Sequence, residues 1–273
     1  MTRKPAVAGT FYPADPGELE ALISKQMLKT DTTALSESKA FVAPHAGYQF
    51  SGQVAAHTYA ALQQAHAKKR FDTLVIIGPN HTGYGRPIAV SLEDWQTPLG
   101  VVKNDRELSE TIANLPDMYA DEIAHAFEHS VEVQLPFIQK TIGEMKCVFV
   151  CMGDQSYESC IALTNAIVSA AKSRKRNITI IASSDFNHYE PATVAKKKDA
   201  PAIDAALKLD PEGFHELIHK NNDSACGFGP VTVAAMFARR SGARSGMLLK
   251  YATSGDTTND YSSVVAYASI VFG

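Results

Sequence analysis

Short hydrophobic runs alternate with longer amphipathic segments along most of the chain. Uninterrupted apolar runs are typical of strands that are buried on both faces of a sheet, whereas apolar residues spaced by three or four indicate helices. The pattern predicts strands at 39–45, 72–81, 86–92, 146–153, 177–185, 247–254 and 262–272. It predicts helices at 51–65, 128–142, 156–173, 198–209, 211–222 and 230–242. Pro136 is expected to kink or restart the second of these helices.

This alternation predicts an α/β fold in which helices cover both faces of a mostly parallel central sheet. The last two strands have no helix between them, so we expect an antiparallel edge. The polar segment 28–39 is interpreted as a loop, and the run of charges from Lys196 to Asp199 as the solvated start of a helix. With 273 residues, the chain is expected to form a single domain spanning 1–273.

The composition is that of an ordinary globular protein, with 45% hydrophobic and 20% charged residues. A net charge of -3 argues against a strong electrostatic attraction to nucleic acid or an anionic membrane. Apolar runs stay below the roughly 18 residues that span a bilayer, and the first residues do not resemble a signal peptide. Four irregularly spaced cysteines do not make a disulfide framework, so we expect a cytoplasmic protein.

Histidines lie at the ends of three predicted strands. His45 lies in PHAGYQFSG, His81 in GPNHTG, and Asp185 and His188 in SSDFNHY. Because ligands bind beyond the carboxyl ends of parallel strands, we expect these side chains at one edge of the sheet. Imidazole suits iron, zinc, copper and nickel, and a histidine that binds no metal could act as an acid or base. The ordinary alternative is a set of solvated loop histidines, with Asp185 capping a turn.

Cys226 lies in the turn SACGFGP, just before a predicted helix. Gly227 and Gly229 permit a close approach of the backbone, and a thiolate at a helix N-terminus has a lowered pKa. Cys226 is therefore a candidate soft metal ligand or redox thiol, although a lone buried cysteine is more often inert. The other three cysteines are expected to be small core residues: Cys147, Cys151 and Cys160.

Two further segments carry histidine and glutamate at helical spacing. His129 and Glu132 would share one face of a helix, either behind the ligands, in contact with substrate or in a structural polar cluster. HELIH at 215–219 matches the zinc motif H-E-x-x-H, but neither histidine nor glutamate follows residue 219 to supply a third ligand. We interpret it as a surface helix whose apolar side faces the core through Phe214, Leu217 and Ile218.

Seven segments, spread nearly end to end, resemble in their order those of the Memo-like family, the Memo component of the AMMECR–Memo–radical SAM group. The segments are AVAGTFYP (6–13), PHAGYQFSG (44–52), GPNHTG (78–83), WQTPLG (95–100), EHSVEVQLPF (128–137), SSDFNHY (183–189) and ACGFGP (225–230). The resemblance implies a fold similar to that of the class III extradiol dioxygenases, which are non-haem iron enzymes. It also implies AMMECR or radical SAM proteins as partners.

The same resemblance implies that His45, His81 and Cys226 are metal ligands. It places His188 at the position of the dioxygenases' acid/base histidine, with Asp185 in the same pocket. A non-haem Fe(II) triad normally has a carboxylate where this chain has a cysteine. A thiolate is softer and more electron-donating, so iron(II) or copper is favoured, zinc stays open, and ring cleavage is not assumed.

We therefore expect a metal-dependent redox or oxygenase-like protein with one transition metal at the carboxyl edge of the sheet. The alternative is a non-catalytic adaptor that binds metal or a peptide and retains the dioxygenase-like pocket; a zinc hydrolase is a third class. The expected ligand is a small molecule or a peptide. Three aromatic side chains could line its pocket or belong to the core: Tyr48, Phe186 and Tyr189.

Overall fold

The computed structural model describes residues 1–28 and 38–273, so most of the loop predicted at 28–39 lies outside the described residues. The strands are β1 (Thr2–Arg3), β2 (Ala40–Ala43), β3 (Thr73–Pro79), β4 (Ile88–Ser91), β5 (Asp94–Thr97), β6 (Gly100–Val102), β7 (Tyr119–Ala120), β8 (Lys146–Met152), β9 (Ile178–Ser183), β10 (His188–Glu190), β11 (Gly246–Thr253) and β12 (Val264–Phe272). The α-helices are α1 (Pro16–Met27), α2 (Tyr48–Lys68), α3 (Arg106–Ala113), α4 (Leu135–Thr141), α5 (Tyr157–Ser173), α6 (Ala192–Leu207), α7 (Pro211–Lys220), α8 (Phe228–Arg240) and α9 (Gly255–Thr258).

The main sheet has the strand order β10-β12-β2-β9-β3-β8-β4-β7, and β11 pairs with β12. The four strands β2, β9, β3 and β8 run parallel. β12 is antiparallel to both β2 and β11, which confirms the predicted edge. β4 is also antiparallel to β8, a reversal that the hydrophobic pattern did not predict.

Alternate residues of the central strands pack into two different cores. In β3, Val75 and Ile77 join one core while Leu74 and Ile76 join the other. Helices α3, α5, α6, α7 and α8 cover the first face, and α1, α2 and α4 cover the second. This is the predicted two-sided α/β arrangement, and it places the carboxyl ends of four parallel strands at one edge. Among the described helices, none is both long and apolar enough to cross a bilayer.

Two helix predictions differ from the structure. In place of one helix over 128–142 there is a short 3-10 helix, Glu132–Gln134, followed by α4, in whose first turn Pro136 lies. The Glu128 side chain accepts the backbone N–H groups of residues 129 and 130, and such local bonds compete with a helix. Helix α6 begins before the charged run, and Asp199 is fully buried rather than solvated. The prediction also missed the β5–β6 hairpin and α3.

Candidate metal centre

The ends of β2, β9 and β3 bring the predicted histidines to one edge of the sheet. These strands are neighbours in that order, so the residues that follow them are also neighbours. The ring centroids of His45 and His81 lie 5.1 Å apart. Cys226 reaches the same place from the turn before α8, and its Sγ lies 3.1 Å from Nε2 of His45. Cys226 therefore contacts His45, which in turn lies beside His81. Among the described residues, the group whose ligand atoms all lie within 4.8 Å of one another does not include Cys226.

A buried chain of hydrogen bonds determines which nitrogen of His45 is free. The Ser183 hydroxyl donates to the carbonyl of Ser130 at 2.7 Å. It must therefore accept from its two other neighbours, Nε2 of Gln134 at 2.7 Å and Nδ1 of His45 at 2.8 Å. Nδ1 of His45 consequently carries the proton, and its Nε2 presents a lone pair towards Cys226.

Glu128 supports a second pair of imidazoles. Its carboxylate lies 3.0 Å from Nδ1 of His81 and 3.4 Å from Nδ1 of His129, and it accepts the backbone N–H of both residues. Burial alone would raise the pKa of Glu128. The hydrogen bond and charge of His81 instead hold this pKa at about 2. A carboxylate that holds Nδ1 directs the other ring nitrogen towards a metal.

His129 is the histidine whose role the sequence did not predict. Ligand atoms of His45, His81 and His129 all lie within 4.8 Å of one another, and this group could hold a metal ion. Burial lowers the pKa of His129 to about 4 and that of His45 well below its usual value. Neutral imidazoles keep their lone pairs, which is the form that binds metal. His45 and His129 can therefore offer lone pairs at neutral pH.

The turn around Cys226 depends on a glycine. A Cβ on Gly227 would lie 2.2 Å from the carbonyl oxygen of Ser183, so only glycine permits this approach. The Gly227 N–H donates to the Ser184 hydroxyl at 3.0 Å. The expected lowering of the thiol pKa is wrong here, because burial raises the pKa of Cys226. Without a metal, the protonated thiol donates to the lone pair of His45.

His188 and Asp185 lie beside this group but make separate contacts. Nδ1 of His188 lies 3.0 Å from the carbonyl oxygen of Ser224, which can only accept, so Nε2 of His188 is unprotonated. Burial lowers the pKa of His188, and a charge on His81 would lower it further. Asp185 accepts the backbone N–H of His45 at 2.8 Å, and burial raises its pKa to about 7.

Glu132 forms hydrogen bonds that hold the N-terminal segment, residues 3–12, against the candidate site. It is fully buried and accepts from Arg3 at 2.6 Å, from Tyr12 at 2.6 Å and from the backbone N–H groups of residues 6 and 7. His129 and Glu132 do not share a helical face, because the chain is irregular before residue 132. His129 instead packs against Phe11 of the N-terminal segment, with ring centroids 4.7 Å apart.

The three aromatic candidates lie in different surroundings. Tyr48 is buried, and its hydroxyl donates to the Val133 carbonyl at 2.7 Å. Phe186 is buried in the core on the face covered by α6 and α8. Tyr189 is 79% exposed, its ring centroid is 5.7 Å from that of His188, and its φ of 62° lies in the left-handed region.

The HELIH segment forms the surface helix α7, with Phe214 and Ile218 buried. His215 donates through Nε2 to the carbonyl oxygen of Gln155 at 2.9 Å, and His219 lies on the exposed side. The interpretation as a packing helix is confirmed. Three cysteines are buried as predicted: Cys147, Cys151 and Cys160.

Comparisons with known proteins agree on one family. The sequence model of the family described as "Memo-like protein" matches residues 3–271. A MEMO1 family protein of Methanopyrus kandleri is 44% identical over 100% of this chain and 99% of its own length. A second one, from Methanosarcina barkeri, is 42% identical over 98% and 99%. A third, from Archaeoglobus fulgidus, is 41% identical over 99% of each chain.

Proposed function

The chain belongs to the Memo-like protein family, and from this premise we propose that it binds one transition metal ion for redox or oxygenase-like chemistry. The proposed ligands are His45, His81 and Cys226, with His129 as a further donor. Iron(II) or copper is the proposed ion, and zinc would suit the same nitrogens. The observation that carries the proposal is the 3.1 Å approach of the Cys226 sulfur to the unprotonated nitrogen of His45.

The donor chemistry fits such an ion. Two ligands of one metal, each about 2.1 Å from it, are at most about 4.2 Å apart, and the ligand atoms of the three imidazoles all lie within 4.8 Å of one another. The three imidazoles are therefore close enough together to share one ion. Because burial raises the pKa of Cys226, the thiol would lose its proton only when a metal ion displaces it, so metal loading should release a proton to solvent.

The residues around the ion would control proton movement. A bound iron or copper ion supplies Lewis acidity and one-electron redox chemistry. His188 would accept a proton through Nε2 from a substrate held beside the centre, because the Ser224 carbonyl keeps the other nitrogen protonated. Glu128 would keep His81 and His129 oriented. Asp185 would hold the backbone of His45 in place.

The proposal is tested by metal binding to protein purified without oxygen. Wild-type protein should bind one equivalent of Cu(I) or Fe(II), and Cys226→Ser should weaken Cu(I) binding by at least tenfold. Cys151→Ser, a buried cysteine in β8, is the matched control and should bind as tightly as wild type. Equal affinities for Cys226→Ser and wild type would contradict the ligand assignment.

Turnover distinguishes an enzyme from an adaptor. With metal loaded, O₂ consumption should be followed with catechol-type substrates and other reductants. Loss of turnover in His188→Ala, with metal content retained, supports the enzyme. Stoichiometric metal binding without turnover in wild type supports the adaptor.

The adaptor stays as a second candidate because large aromatic side chains lie exposed next to the site. Phe127, beside Glu128, is 75% exposed, and Tyr189, beside His188, is 79% exposed. Such side chains are typical of surfaces that bind peptides or proteins. The partners proposed from the family resemblance are AMMECR or radical SAM proteins. Phe127→Ser and Tyr189→Ser should weaken their binding, and Ile161→Ser, on α5, should not.

A further inference from the structure

Two buried carboxyl groups, Asp199 and Asp223, lie behind the segments that carry His188 and Cys226. Asp199 is fully buried on α6, and Asp223 is 8% exposed in the turn before α8. They face each other closely enough that each alters the ionisation of the other. Two buried carboxylates of like charge would repel, so one of them retains a proton at neutral pH.

Each member of this pair holds the residue that precedes a site residue. Asp199 accepts the backbone N–H of Asn187 at 3.1 Å, and Asn187 immediately precedes His188. Asp223 accepts the backbone N–H of Ala225 at 3.1 Å, and Ala225 immediately precedes Cys226. The separation of the two carboxyl groups therefore sets the separation of two backbone segments.

Ser224 joins the same two segments a second time. Its hydroxyl accepts the backbone N–H of His188 at 2.7 Å, and its carbonyl accepts from Nδ1 of that histidine at 3.0 Å. Any displacement of Asp223 relative to Asp199 would therefore move the support of the His188 ring. Behind them, the fully buried Asn187 side chain faces both Asp223 and Glu190.

Among the described residues, the nearest cation does not form an ion pair with either carboxyl group, so it does not take the place of the proton on the Asp199–Asp223 pair. Lys198, next to Asp199 on α6, donates to Glu190 at 2.8 Å and to the Asn222 carbonyl at 3.0 Å. The Tyr251 hydroxyl of β11 donates to Asp199 at 2.6 Å. The titratable and charged groups that face the pair are Lys198, His188 and Tyr251. Behind them, Glu190 of β10 pairs with Lys198, and Asp256 of α9 faces Tyr251.

We propose that Asp199 and Asp223 are positioning residues that share one proton, and that this proton holds the segments bearing His188 and Cys226 together. Loss of the proton at alkaline pH would drive the two carboxylates apart and loosen both segments. Hydrogen exchange can test this inference on the metal-free protein. Only a measurement of metal affinity makes the inference rest on the proposed function.

The pH window follows from the direction of the shift. Burial and the neighbouring Asp223 raise the pKa of Asp199 to about 8. The folded state therefore keeps a proton that the unfolded chain loses near pH 4. The stability that this proton provides falls as the pH rises from about 4 to about 8. In the folded protein the proton itself leaves around pH 8, which is where the local loosening should appear.

Hydrogen exchange at the amides of Asn187 and Ala225 tests the inference on the metal-free protein. In wild type, their protection factors should fall at least tenfold between pH 7 and pH 9.5. Asp199→Asn should remove this fall, because its side chain cannot ionise. Asp223→Asn should behave in the same way and serves as the second variant. Asp204→Asn, an exposed change on the same helix, should follow wild type.

A flat wild-type profile, or an equal fall in Asp199→Asn, would overturn the inference. Zinc affinity, measured against a competing chelator at pH 7 and pH 9, gives a second readout. Wild type should weaken at least fivefold more than Asp199→Asn at pH 9. Absence of zinc, iron and copper binding together with the expected exchange pattern would contradict the proposed function alone. Metal binding together with a flat exchange profile would contradict only the positioning pair.

Discussion

Two regions of this chain are rich in histidine, and they differ in how the imidazoles are supported. At the strand ends, the ring centroids of His45, His81 and His129 lie 4.5–5.4 Å apart. In α7, those of His215 and His219 lie 5.0 Å apart. Proximity alone therefore does not distinguish a candidate metal centre from a packing helix.

The difference lies in what occupies the nitrogens. At the strand ends, Ser183 and Glu128 hold the inner nitrogens and leave the outer ones facing a shared space. In α7, His215 uses Nε2 to donate to Gln155, and its ring packs against Phe228 with centroids 5.3 Å apart. The HELIH motif, whose histidines are close in sequence, thus has no residue in the described part of the chain that directs a free ring nitrogen towards a shared space. The histidines at the strand ends have such residues, although they are far apart in sequence.

The largest expected contrast is in metal affinity. His45→Ala should weaken Cu(I) or Fe(II) binding at least 100-fold, which is about 2.7 kcal/mol, because it removes the donor between His81 and Cys226. His215→Ala should leave the affinity within about twofold of wild type. Titration of anaerobic metal-free protein measures both. A comparable loss in His215→Ala would restore the zinc motif as the metal site.

A second contrast concerns one glycine in each region. A Cβ on Gly227 would lie 2.2 Å from the backbone oxygen of Ser183, whereas one on Gly213 would lie 2.2 Å from the side-chain oxygen of Asp210. A side chain can move aside, but this backbone cannot. Gly227→Ala should lower the free energy of unfolding by about 2–3 kcal/mol, and Gly213→Ala by less than about 1 kcal/mol. Urea unfolding measures both, and equal losses would show that the turn before α8 can relax.

The smallest expected effect is on acid stability. Burial lowers the pKa of His129 to about 4, so between about pH 6.5 and 4 the unfolded chain binds a proton that the folded state excludes. Stability from this residue is present above pH 6.5 and is lost as the pH falls. His129→Gln should therefore reduce the loss of unfolding free energy between pH 7 and 4.5 by about 1–2 kcal/mol.

Urea midpoints of metal-free protein at these pH values measure the effect. His125, whose pKa burial also lowers to about 4, should preserve part of the slope in the variant. An unchanged slope in His129→Gln would mean that His129 accepts its proton without cost.

The strand-end rule predicted more of the site than the helical patterns did. His45, His81 and Asp185 could be placed together from sequence because parallel strands end at one edge. His129 was placed at the site only as one alternative, behind the ligands or in contact with substrate. Its place among the candidate donors could not be predicted, because it depends on the Glu128 side chain replacing a helix with an irregular turn. The polar segment EHS before Val131 is the signal that could have revealed this turn.

The sequence also failed to predict properties that depend on tertiary contacts. Asp199 follows three lysines, so local charge predicted solvent, yet the Asn187 backbone and Tyr251 bind it in the interior. The raised pKa of Cys226 likewise follows from burial by distant segments and not from its place before α8. Local sequence reports propensity, whereas these properties arise from what other segments place nearby.

The attachment of Arg3 to Glu132 has a consequence for assembly during synthesis. These two residues are 129 positions apart, so the earliest part of the chain must wait for its partner to leave the ribosome. β2 waits longer still, since it lies between β9 and β12, the last strand of the chain. Shorter nascent chains would present His45 without its neighbours. The candidate metal centre would therefore be complete only near the end of translation, when β9, the turn of Cys226 and β12 have all left the ribosome.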